Sequence, residues 1–208
     1  MDGLLSDTEP LWREAEKQTF LKVGIALTDA MCMQTMGWRT NEVISYWHQQ
    51  HPWDNISLEE VEEDLLTGVQ QLMSEKATAM PGVYDTLELA KKESLKIALA
   101  SSSPFRLINT IVDKLEIRDY FSVICSAQDD QYGKPHPGVF IRTADALGVA
   151  PMDCLVFEDS FYGVIAGIAA KTTVVAVPDP HDFNAQKWCV ANRKIRSLTE
   201  FDSFLVSG

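Results

Sequence analysis

The sequence predicts an α/β protein: a doubly wound, Rossmann-like parallel sheet with an α-helical segment inserted near its N-terminus. Three observations predict it. Beyond residue 80, four short apolar runs alternate with stretches of helical periodicity, the spacing of βαβ units. Between Leu11 and Met80, apolar residues recur at helical spacing and no convincing strand occurs. Acids, hydroxyls and a lysine stand at the ends of the apolar runs, where open α/β sheets bind ligands. Length agrees. A chain of 208 residues is long for one minimal domain and short for two, so one domain with a substantial insertion is expected. The division that follows is a core of residues 1–10 and 81–208 with a helical insertion over 11–80.

The first helical stretch, "WREAEKQTFLKVG", ends in Gly24, a C-terminal stop. "TNEVISYWHQQ" follows, and then a longer helix opened by Ser57 and Glu60 in an S-x-x-E capping box. Its apolar stripe is Leu58, Val61, Leu65, Val69 and Leu72. Pro81-Gly82 then punctuates the chain. The runs "LKIALASSS", "FSVICSA", "CLVFEDS" and "TTVVAVPDP" have the length of buried parallel strands. "PFRLINTIVDKL", "PGVFIRTADALGV" and "YGVIAGIAAK" between them carry helical periodicity.

Composition narrows the partners. The net charge of −12 argues against a nucleic-acid ligand, whose phosphates are gripped by clustered Lys and Arg. It leaves room for a small phosphorylated metabolite, which needs only a few local cations or a metal. Cys32, Cys125, Cys154 and Cys189 are scattered, without the spacing of a disulfide frame or a zinc site. The sequence contains neither an apolar run of membrane-spanning length nor a signal-peptide pattern, so a cytoplasmic protein, monomeric or weakly oligomeric, is expected.

The chemistry sits at the strand ends. Ser101, Ser102 and Ser103 close one apolar run just before a helix, a place suited to phosphate and equally to an ordinary serine N-cap. Lys134 lies between Gly133 and Pro135 on a stiff turn, either facing phosphate oxygens or facing solvent. Glu158 and Asp159 follow a third run; adjacent acids at a buried strand end repel unless a cation is near, and hard oxygen ligands of this kind suit Mg²⁺. The opening "MDGLLSDTEP" adds Asp2, Asp7, Thr8 and Glu9, each able to serve as a cap or turn residue. Acid, hydroxyl, lysine and acid pair in that chain order form a specific constellation.

On these residues the chain resembles the haloacid dehalogenase superfamily of phosphohydrolases. The likeness is to its β-phosphoglucomutase-like branch of sugar-phosphate phosphatases, near the 2-deoxyglucose-6-phosphate and hexitol phosphatases. "DGLLSDTEP" matches the second half of the first family motif, "ALASSSP" the second, "GKPHP" the third and "FEDSFYG" the fourth, and residues 11–80 match the helical cap. The resemblance implies a Mg²⁺-dependent phosphomonoesterase working through an aspartyl-phosphate. It makes Asp2 the aspartate that protonates the leaving alcohol and then activates water, with its carbonyl on Mg²⁺. It places Ser101 on a phosphoryl oxygen, Lys134 on the phosphate charge, and Glu158 and Asp159 on Mg²⁺, with Thr8, Ser102 and Ser103 also against the substrate. In the cap, "MGWRT" resembles a shortened substrate loop and makes Arg39 the candidate for the substrate's non-reacting end, while Trp53 and His51 either line the cap's inner face or pack between helices.

Two departures stand out. Mutase members carry a His four residues after the Thr of the opening motif; Trp12 holds that position here, which points to a phosphatase over a mutase. Family members read apolar strand, Asp, x, Asp, Gly, and here Met1 occupies the x position. The nucleophilic Asp and the first core strand are therefore expected to be missing from these 208 residues, by truncation of a longer active enzyme. A catalytically inactive phosphosugar-binding or regulatory protein and a phosphosugar mutase are the alternatives.

Overall fold

The computed structural model describes residues 1–201. The opening loop, Met1–Thr8, leads into a helical segment of α1 (Glu9–Lys22), α2 (Asp29–Cys32), α3 (Thr40–Gln50) and α4 (Leu58–Lys76). An α/β unit follows: α5 (Val83–Lys92), β1 (Ala98–Ser101), α6 (Phe105–Lys114), β2 (Val123–Ser126), α7 (Gly138–Leu147), β3 (Leu155–Glu158), α8 (Phe161–Ala169), β4 (Thr173–Ala176) and the short β5 (Arg193–Lys194). All four runs expected as strands are strands, and three of them end on a hydroxyl or acid, Ser101, Ser126 and Glu158. β5, two exposed residues with no apolar alternation, has no sequence signal.

Local chemistry sets the helix ends. Gly24 at φ +83 lets the Ile25 N–H donate to the Phe20 carbonyl (2.9 Å) and its own N–H to that of Leu21 (3.0 Å), a Schellman closure of α1. At α4 the Glu60 N–H donates to Ser57 Oγ (3.1 Å) and the Ser57 N–H to Glu60 Oε2 (3.0 Å), the reciprocal capping box. Val61, Leu65, Leu66, Val69 and Met73 of α4 are buried, and α4 packs against α1, α3 and α6. It is the shared wall between the cap helices and the core.

The strands pair in parallel but in two groups, β1 with β2 and β3-β4-β5. Among the described residues no ladder joins β1 to β3. Burial follows that division. In β4, Val174, Val175 and Ala176 are buried, whereas Leu155, Val156 and Phe157 of β3 are only partly covered although just as apolar. A parallel strand inside a covered sheet is buried along its length, so β3 behaves as a strand with one open side. The carboxyl ends of β1 and β3 nevertheless face one cavity.

Cap and core are joined by two adjacent crossings. The Asp7 N–H donates to the Thr78 carbonyl (3.2 Å), the Met80 N–H to that of Leu5 (3.0 Å), and Ser6 Oγ to that of Thr78 (2.8 Å). Among the described residues no helix is long and apolar enough to cross a membrane.

Gly82 caps α5 at φ +84, where a Cβ would overlap the backbone of Leu198 and Thr199. Gly82→Ala should therefore cost about 1–3 kcal/mol through strain and displacement of that turn. The thermal midpoint should fall by roughly 2–4 °C per kcal/mol. An unchanged midpoint would show that the 197–200 turn does not pack on the start of α5.

Candidate active site

The opening loop is folded back on itself so that Asp2 points into the cavity. Gly3, at φ +66, turns the chain, its N–H donating to the Ser6 carbonyl (2.9 Å) while the Leu5 N–H donates to that of Met1 (2.8 Å). The Asp2 carboxylate then accepts three hydrogen bonds. Oδ1 accepts from Thr8 Oγ1 (2.7 Å) and Trp12 Nε1 (3.0 Å), and Oδ2 from Ser103 Oγ (2.7 Å). The donors come from the opening loop, the first cap helix and the end of β1. A Cβ on Gly3 would collide with the Asp159 carboxylate, so only glycine allows the loop backbone to lie against that acid.

The hydroxyls after β1 have distinct states. Ser101 Oγ accepts from the Ser103 N–H (3.1 Å), and Ser126 Oγ, at the end of β2, donates to the Ser103 carbonyl (2.6 Å). Ser102 lines the cavity, and its Oγ is buried with no hydrogen-bond partner among the described residues. An unpaired buried hydroxyl costs on the order of 1–3 kcal/mol, a cost that a ligand oxygen removes.

Lys134 and Glu158 form a buried ion pair, with the Lys134 ammonium also 4.8 Å from the Phe140 ring centre. The second Glu158 oxygen accepts from Ser160 Oγ (3.1 Å) and the Ser160 N–H (3.4 Å). A Cβ on Gly163 would fill the space that this carboxylate occupies, so glycine in the first turn of α8 makes room for it. Asp159 lacks such an answer. Burial, then the Glu158 charge, push its carboxyl up, and the Met1 ammonium and Lys134 only partly oppose them. Glu9 is pushed up to about 8 by burial, then by Asp159 and Asp2, against Arg13. This end of the cavity carries more negative charge than its own cations balance.

The structure brings Asp2, Ser101, Ser102, Ser103, Lys134, Glu158 and Asp159 to the lining of that one cavity, with buried Thr8 directly behind Asp2. Arg39 stands elsewhere. Its Nε and Nη2 donate to Glu42 Oε1 (3.0 and 2.6 Å) and its Nη1 to the Asp130 carbonyl (3.0 Å), so the guanidinium ties the cap to the core and does not line the cavity. Trp53 is buried with its ring 6.1 Å from that of Phe20, and His51 stacks on Trp47 at 6.3 Å; both are packing contacts. α1 lines the cavity with Glu9, Trp12, Arg13 and Glu16, of which Glu9, Arg13 and Glu16 had no expected place there. The four fall at i, i+3, i+4 and i+7 of α1, one helical face, and that spacing was available in the sequence.

A hydroxyl cluster, a buried lysine and an acid pair at the carboxyl ends of parallel strands, roofed by an inserted helical cap, define a class of hydrolase fold. The chain belongs to the haloacid dehalogenase-like hydrolases, a family of enzymes whose description matches residues 1–177. Hexitol phosphatase B of Escherichia coli (strain K12) is 36% identical over 201 residues, covering 96% of this chain and 90% of that protein. A phosphorylated carbohydrates phosphatase of Thermotoga maritima is 32% identical over 170 residues, covering 82% of this chain and 78% of that one. The β-phosphoglucomutase of Clostridium difficile shares the fold at a TM-score of 0.85 and 23% identity, over 99% of this chain and 92% of that chain.

The buried acids dictate a pH dependence. Glu9 rises from 4.5 to about 8, and Glu16 from 4.5 to about 7, through burial, which outweighs Arg13 and the Cys32 thiol. Between these values the folded chain holds protons that the unfolded chain has released, so stability falls as pH rises through the window. Without added metal the thermal midpoint should be lower at about pH 8.5 than at about pH 6, and Glu16→Gln should reduce the difference. A midpoint that rises over this range would contradict the burial of these acids.

Proposed function

We propose that the cavity takes the phosphate of a small sugar or sugar-alcohol phosphate, and that the reaction it serves is phosphomonoester hydrolysis. The observation that carries this reading is the fixed Asp2 carboxylate sharing one cavity with the partnerless Ser102 hydroxyl and the buried Lys134. Phosphoryl transfer depends chiefly on positioning and charge neutralisation, and these residues offer both. Ser101 and Ser102 bind phosphoryl oxygens. Lys134 answers the phosphate charge while Glu158 holds its ammonium in place. Asp2, kept in one orientation by Thr8, Trp12 and Ser103, gives a proton to the departing alcohol oxygen and later takes one from water.

Mg²⁺ fits the residues present. Among the described residues no three acids converge as a ready-made metal centre, but Mg²⁺ keeps several waters and needs only one or two carboxylates plus phosphate. Asp159, half-buried and short of positive charge, would hold it together with Glu158 and the Asp2 carbonyl. When bound, the ion neutralises phosphate oxygens as charge builds on them.

The phosphatase reading is supported over a mutase by Trp12, whose indole N–H is spent on Asp2 and offers no second proton-transfer group. The relatives named as hexitol and carbohydrate phosphatases support the substrate class. In this mechanism the attack on phosphorus belongs to a carboxylate two positions before the acid/base aspartate, and Met1 directly precedes Asp2. Residues 1–208 supply binding and proton-transfer parts of such a site at the carboxyl ends of β1 and β3.

Residues 1–208 should bind phosphate with Mg²⁺ yet show no turnover of p-nitrophenyl phosphate above the uncatalysed rate. Turnover that disappears in both Asp2→Asn and Asp159→Asn would show that a group within residues 1–208 attacks phosphorus.

A further inference from the structure

The cap end of the cavity is built differently from the phosphate end. Glu16, in the middle of α1, lines the cavity, is only 7% exposed, and its Oε2 has no hydrogen-bond partner among the described residues. Beside it are the buried Cys32 thiol, a weak donor whose proton burial and Glu16 itself hold in place, and Thr35, whose hydroxyl is spent on the Cys32 carbonyl (3.3 Å). Packing does not call for an acid here. The neighbouring buried positions of α1 are Ala15, Thr19 and Phe20, and a buried carboxylate oxygen without a donor is costly. Among the described residues no donor other than the weak Cys32 thiol is placed to answer this carboxyl group.

We propose that Glu16 accepts a hydrogen bond from a hydroxyl on the non-reacting end of the substrate and so selects polyol and sugar phosphates over phosphate esters with bare alkyl chains. The proposal rests on the phosphatase reading for the other end of the cavity. A hydroxyl suits this carboxylate better than an ammonium does, because Arg13, on the same face of α1, already supplies positive charge beside it. Above about pH 7, where Glu16 is ionised, its charge also opposes a second phosphate. Sites built to hydrogen-bond a hydroxyl reject analogues lacking it far more strongly than apolar pockets reject an added group. Glu16 acts in binding, apart from the reacting atoms.

Calorimetry on the full chain with Mg²⁺ tests this, using inorganic phosphate, a hexitol 6-phosphate and n-hexyl phosphate. The wild-type chain should prefer the hexitol ester to the hexyl ester by about tenfold or more, the worth of one hydrogen bond to a charged group. Glu16→Ala should abolish most of that preference and Glu16→Gln, which keeps a carbonyl acceptor and the side-chain shape, should reduce it several-fold, with inorganic phosphate affinity unchanged in both. Thermal unfolding establishes that each variant is folded, and if the Ala variant is not, the Gln variant decides. A preference that survives both changes, or none in the wild type, overturns the proposal while leaving phosphate binding intact. Tighter binding of a 2-amino-sugar phosphate, lost in Glu16→Gln, would replace the hydroxyl with an ammonium. Failure of the wild type to bind inorganic phosphate overturns the phosphatase reading and this proposal together.

Discussion

The carboxylate of Asp2 is the point on which this structure turns. It accepts one hydrogen bond each from Thr8 of the opening loop, Trp12 of the first cap helix and Ser103 beyond the first strand of the core. Three parts of the chain, one of them 101 residues from Asp2 in sequence, are thereby registered on one pair of oxygens. The loop can reach this position only because Gly3 adopts a left-handed conformation and leaves space for Asp159. The same hydrogen bonds that fasten the cap to the core aim the acid at the cavity between them. Arg39 adds a further fastening through Glu42 and the Asp130 carbonyl, alongside the packing of α4 on α6 with its Arg106–Glu63 ion pair and Gln70–Thr110 hydrogen bond.

Charge accounts for the rest of the site. Glu158 is matched by Lys134 and Ser160, whereas the half-buried Asp159 and Glu9 lie close to other acids without a full counter-charge. In the proposed function a divalent cation would answer these acids, and a phosphate would answer the Ser102 hydroxyl and the lysine. A pair of ligands of opposite charge is the demand that phosphoryl transfer makes.

Much of this was legible in the sequence because it depended on local patterns. The four apolar runs, the capping box at Ser57 and Glu60, and the stop at Gly24 are written within a few residues of where they act. The strand-end residues Ser101, Lys134, Glu158 and Asp159 were legible for a related reason: parallel sheets gather their ligands at carboxyl ends, so chain order alone predicts their convergence. What escaped depends on contacts between distant segments. The role of Arg39 is decided by the Asp130 carbonyl, 91 residues away, and no local feature distinguishes it from a substrate-facing arginine. Trp12 shows as a departure from a mutase pattern, but its bond to Asp2 needs the loop geometry. Glu9, Arg13 and Glu16 shared a readable helical face; which way that face pointed was set by the packing of α1 on α4.

The central claim is that one cavity holds phosphate through Ser102 and a divalent cation through Asp159. Titration calorimetry of inorganic phosphate, with and without Mg²⁺, on the wild-type chain and on Ser102→Ala and Asp159→Asn tests it most directly. The account predicts binding that is strengthened by Mg²⁺, weakened about tenfold in Ser102→Ala through loss of one hydrogen bond to a charged ligand, and no longer responsive to Mg²⁺ in Asp159→Asn. Phosphate binding that is indifferent to both substitutions would place the anion elsewhere on the protein and contradict the account.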